Sequence, residues 1–126
     1  MQRKTPGPAL LTIVGCLAVT AASAQVVKQE VPGIRNFATV ESTVACAGAI
    51  TPRAIPEIKK MGFASIINLR LPTEEGADIA GNTDAAKAAG IPYYHIPFSG
   101  AAPDPAVVDT FLKTITAPGV QPAFIH

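Results

Sequence analysis

The sequence predicts an α/β domain with a mostly parallel sheet and crossover helices. Three observations carry this reading. Apolar runs of strand length alternate with segments of helical spacing, in the order strand, strand, helix, strand, helix, strand, helix, strand. Phe63 to Arg70 is a continuous Ile-rich run after a helix and a glycine, as a strand covered on both faces requires. The helices carry their own punctuation, with Thr51-Pro52 and Asp104-Pro105 at starts and Gly62 and Gly90 at stops.

Taken in order, residues 25–36 are polar around Pro32-Gly33 and read as a lead-in segment before the domain proper at 37–126. Phe37 to Val40 and Val44 to Ala47 read as two short strands. Thr51 is the expected cap of a helix to about Met61, with Ala54, Ile55, Ile58 and Met61 on one face. After the Phe63–Arg70 strand, Leu71 to Gly76 is a loop. Asn82 or Thr83 is the expected cap of an alanine-rich helix from Asp84 to Ala89. Ile91 to Pro97, with two tyrosines and two isoleucines between prolines, favours a strand. From Pro105 to Thr116, Val107, Val108, Phe111, Leu112 and Ile115 form one apolar helix face. Pro122 to His126 begins a last strand. In such sheets chemistry sits at the carboxyl ends of the strands. That directs attention to Arg70, to Pro97–Asp104, and to whatever follows His126.

Residues 1–24 read as a cleaved export signal. They have a cationic start at Arg3-Lys4, an apolar stretch from Ala9 to Ala22, and a small-x-small site at Ala22-Ser23-Ala24. Ile13-Val14-Gly15-Cys16 resembles a lipobox, but the chain stays apolar after Cys16, which favours cleavage after Ala24. The expected location is therefore periplasmic or secreted, with no membrane span in the mature chain. Without residues 1–24 the chain has 8 basic and 9 acidic side chains. It carries no basic patch for nucleic acid. Cys46 is the single cysteine left, so no intramolecular disulfide is expected.

Three stretches carry a family likeness. Ile58 to Arg70 followed by Glu74-Glu75, then Ala89 to Phe98, and finally Pro122-Ala123-Phe124-Ile125-His126 resemble the dual-specificity-like branch of the protein-tyrosine-phosphatase superfamily. Within it they are most similar to the bacterial beta-lactamase-hydrolase-like phosphatase domain. The resemblance implies a cysteine-dependent phosphatase fold in which the last strand runs into His-Cys, a glycine-containing loop and an arginine. There the thiolate attacks phosphorus, and backbone N–H groups at a helix N-terminus lower its pKa and cradle the phosphate. The arginine clamps the equatorial oxygens, and an Asp protonates the leaving oxygen. His126 matches the residue before the nucleophile, and the sequence given stops there.

The expectation is thus the N-terminal part of an exported phosphomonoester hydrolase, incomplete at the C-terminus and inactive as given. The resemblance implies a phosphorylated substrate for the whole domain and no metal or other cofactor. It leaves the oligomeric state open. Two other readings keep the sheet: a non-catalytic exported binding domain, and a rhodanese-like sulfurtransferase fragment, which also places a Cys loop after a strand.

Asp104 is the candidate general acid, set against its reading as the cap of the Pro105 helix. Arg70 is expected to pair with Glu74 or Glu75 and fix the loop. Cys46, in an apolar strand without a basic neighbour, reads as a small buried hydrophobe. His95 reads as structural. His95, His126 and Cys46 lack metal-ligand spacing.

Overall fold

The structure, a computed structural model, describes residues 25–126. The expected export signal and Cys16 lie outside the described residues. Six strands form one sheet: β1 (Val27–Lys28), β2 (Ala38–Thr39), β3 (Val44–Cys46), β4 (Ser65–Asn68), β5 (Tyr93–His95) and β6 (Ala123–Ile125). Their order is β1-β2-β3-β6-β4-β5. The first three pair antiparallel, whereas β3, β6, β4 and β5 run parallel. Three helices make the crossovers: α1 (Ile55–Lys60), α2 (Ile79–Ala89) and α3 (Pro105–Ile115). The mostly parallel α/β reading holds.

Strand alternation divides the interior into two layers. Ala45, Ile66 and Phe124 lie side by side across β3, β4 and β6 and face Ile55 and Ile58 of α1 and Ala86 of α2. Phe124 is fully buried. It stacks on Phe37, with centroids 5.8 Å apart and 12° between planes, and takes the edge of Phe63 at 5.5 Å. Aromatic pairs of this kind add about 0.5–1.5 kcal/mol each beyond their buried area. The opposite layer is thinner. Ile67, Ile96, Val120 and Ala123 are buried there beneath Val107, Phe111 and Ile115 of α3. Ser65 turns into this layer, and its hydroxyl donates to the Val120 carbonyl at 2.6 Å. No residue of α3 is itself fully buried.

Several local expectations need correction. Thr51 is extended, but its side chain makes no capping bond; Pro52 instead opens a 3-10 turn at Pro52–Ala54 that leads into α1. Met61 falls past the end of α1 and is 41% exposed, off the apolar face assigned to it. Helix α2 starts earlier than the alanines suggest. Its cap is Asp78, whose carboxylate accepts the Gly81 N–H at 2.9 Å, so Asn82 and Thr83 are interior positions. Gly90 closes α2 with φ 65°. The lead-in segment is not without structure: Val27 and Lys28 pair with Thr39 and Ala38. Strand β5 is held to three residues between Pro92 and Pro97, neither of which can donate to a ladder.

Candidate functional site

The carboxyl ends of β3, β4, β5 and β6 converge on His126. Its N–H donates to the Ile67 carbonyl at 2.9 Å, and its own carbonyl accepts from Leu69 at 2.6 Å. On the other flank Ala47 donates to Ile125 at 2.8 Å. The residue after β6 is thereby held between neighbours, not at an edge. By alternation its ring lies on the same face as Phe124, with Tyr93 and Phe124 both at centroid distances of 6.2 Å.

His126 is 6% exposed, and neither ring nitrogen has a hydrogen-bond partner among the described residues. Its pKa is pushed down to about 4, by burial first, then by the Arg70 and His95 charges. The ring is therefore neutral at physiological pH.

Arg70 stands where β4 leaves the sheet. Its Nη2 donates to the Glu75 carbonyl at 2.7 Å and lies 3.3 Å from the Glu74 carboxylate. The other Glu74 oxygen accepts the Leu71 N–H at 2.8 Å, so one acidic side chain shapes the turn and holds the cation. This is the loop-fixing role expected of the pair. The Arg70 N–H donates to Asn68 Oδ1 at 2.8 Å, and Asn68 Nδ2 donates to the Tyr93 hydroxyl at 2.7 Å. The Arg70 carbonyl accepts from His95 Nε2 at 3.0 Å, which ties the end of β5 to the exit of β4.

Asp104 caps α3, its carboxylate accepting the Ala106 N–H at 2.9 Å. It is exposed. One turn on, Val107 and Val108 line a cavity of about 200 Å³ with Leu69, Phe98 and Phe111. That cavity sets the start of α3 at the same edge of the sheet as Arg70.

Cys46 is exposed at the end of β3, contrary to the buried reading. Its side chain shares a face with Ile125, and α3 packs over β4, β5 and β6 without covering β3. Partial desolvation at sulfur raises the thiol pKa, so Cys46 is not an activated nucleophile even though the residue as a whole is exposed. Among the described residues no three His, Cys, Asp or Glu side chains cluster as a metal site. No helix among them is long and apolar enough to cross a membrane.

Asn68, Tyr93 and Asn82 are the site residues that sequence reasoning missed. The one available signal was an asparagine closing the apolar run Ile66-Ile67 beside Arg70.

The mostly parallel sheet, with His126 buried at the end of a central strand and the Arg70 turn at the exit of the next, is the framework of a phosphatase-like domain. The phosphatase-like domain of beta-lactamase hydrolase-like proteins matches residues 36–124, and the chain belongs to that family. Solved structures agree on the fold. A candidate DUF442 phosphatase from Shewanella putrefaciens CN-32 superposes with TM-score 0.65 at 20% identity, over 75% of this chain and 59% of that one. A candidate phosphatase from Neisseria meningitidis Z2491 gives 0.59 at 21% identity, over 69% and 63%. The core catalytic domain of the PP-IP phosphatase SIW14 from S. cerevisiae, in complex with citrate, gives 0.60 at 22%, over 77% and 58%. The chain thus spans about three-fifths of the length of these solved chains. A search of the curated proteins finds no match.

Proposed function

We propose that this chain is the N-terminal part of an exported, cysteine-dependent phosphomonoester hydrolase domain, with the nucleophile and phosphate-binding loop directly after His126. The observation that carries this reading is the position of His126. It ends a central parallel strand, at the edge where sheets of this class bind ligands, with Arg70 beside it. Had this strand run at the rim of the sheet, a catalytic turn there would have had no walls.

In the proposed reaction a thiolate beyond His126 attacks phosphorus, and the bond from phosphorus to the leaving oxygen breaks. Asp104 gives that oxygen its proton. Water, giving a proton back to the Asp104 carboxylate, then attacks the cysteinyl phosphate; the S–P bond breaks and inorganic phosphate and the thiolate are released. Asp104 lies in the loop after β5, where it caps α3; to act as the acid it would have to take up a proton when substrate binds. The chain as given would carry out no turnover, since the groups that attack and clamp phosphate are supplied by later residues.

The test is to read the coding sequence past the His126 codon and express the extended chain. Hydrolysis of p-nitrophenyl phosphate by the extended chain, abolished by Cys→Ser in the new loop and absent from residues 25–126 alone, supports the reading. A following sequence without a Cys-loop-Arg stretch overturns it.

A further inference from the structure

Asn68, Tyr93 and Asn82 form a run of polar side chains inside an apolar layer. Asn68 is 0% exposed and Asn82 is 1% exposed. Amides so deeply buried persist where they are bonded. Asn68 spends both its functions, accepting from the Arg70 N–H and donating to the Tyr93 hydroxyl. The hydroxyl therefore still has its own proton to give. Asn82, reaching in from α2, acts on the same hydroxyl. Its Oδ1 has no partner among the described residues. The two ends of an amide are nearly isosteric, and an Asn82 amide rotated by half a turn would present Oδ1 to the hydroxyl proton. That one bond would meet both unmet needs. It would extend the Tyr93–Asn68–Arg70 run back to α2.

The far end of that chain bears on the site. Arg70 acts electrostatically on His126. Its carbonyl is held by His95, and its neighbour Leu69 is bonded to His126. We propose that Asn82, Tyr93 and Asn68 are positioning residues: they hold the exit of β4 so that the Arg70 cation stands beside the end of β6. As a contribution to catalysis the proposal rests on the reading of β6 as the lead-in to a phosphate-binding loop; as a statement about geometry it does not.

Tyr93→Phe and Asn82→Leu in the full chain test it by NMR. Each variant should speed exchange of the Arg70 amide about tenfold relative to the β6 amides. Each should also raise the His126 titration midpoint by about half a pH unit, as the cation moves off. Tyr94→Phe, on the opposite face of β5, should change neither. An unmoved Arg70 amide and His126 midpoint in Tyr93→Phe would overturn the proposal. None of these readouts requires turnover. A phosphatase reading that fails would show as an inactive extended chain with the NMR effects intact, whereas a failed relay would leave the spectra unmoved.

Discussion

The Leu69 N–H donates to the His126 carbonyl across 2.6 Å. That bond fastens the end of β6 to the exit of β4, one residue before Arg70. Two strands separated by two helices in sequence thus deliver a neutral imidazole and a cation to one place. The pairing makes the region sensitive to protonation.

Acidification should weaken the fold through His126. Its folded-state pKa is lowered to about 4 from the ordinary 6.5, so the unfolded chain takes up a proton first. The contribution is whole above about pH 6.5, falls as pH drops through that window, and is spent near pH 4. The full loss amounts to about 3 kcal/mol at roughly 1.4 kcal/mol per unit. Urea denaturation at pH 7.0, 5.5 and 4.5 measures it. His126→Gln should flatten the pH 4–6.5 part of the curve, and an unchanged slope would exclude His126 as its source.

Asp104 separates into two roles by substitution. Asp104→Ala should lose the α3 cap at a cost of about 1 kcal/mol. Asp104→Asn keeps a capping oxygen and should stay within about 0.5 kcal/mol of the parent. In an active extended chain, however, Asp104→Asn should lower kcat by about a hundredfold or more, because the proton donor is gone. Equal kcat for parent and Asp104→Asn would remove Asp104 from the chemistry.

Gly81 should answer to alanine with the opposite sign from an ordinary helix glycine. Gly→Ala inside a helix usually gains about 0.5–1 kcal/mol. A Cβ on Gly81 would lie 2.3 Å from Asp78 Oδ2 and 2.8 Å from its Cγ, displacing the cap. Gly81→Ala should therefore be neutral to destabilising in the parent and stabilising in an Asp78→Ala background. Thermal melts of the four proteins in this cycle give the coupling directly.

Helix α3 should open before the rest. It has no fully buried residue, and Leu112 is 51% exposed and Val108 40% exposed. Amide exchange should show α3 deprotected at lower free energy than β4 and β6, whose own Ile66, Ile67 and Phe124 are fully buried. Equal protection across α3 and β4 would contradict this.

The sheet was legible because its strongest signals are local. Ile66-Ile67 needs cover on both faces, Asp104-Pro105 starts a helix, and Gly90 stops one. What depends on distant chain was not legible. Cys46 looks like core in sequence, but its exposure follows from which strands α3 happens to cover. Strand β1 is two residues long and has no period to read. The start of α2 was hidden because the alanine-rich run begins well after Asp78, while in the fold Gly81 makes room for the Asp78 carboxylate. In the site, Arg70 and His126 could be found from strand ends alone. Tyr93 could not, since its bond to Asn68 joins residues 25 apart in sequence on separate strands.

Strand β6 is the latest-made of the six, yet it occupies the slot between β3 and β4, pairing Val44 with Ala123 and Ser65 with Ala123. The two halves of the sheet have no shared ladder until residues 123–125 leave the ribosome. Closing so long a loop is slow. Synthesis order thus delays the complete parallel ladder until nearly the whole described length has been made.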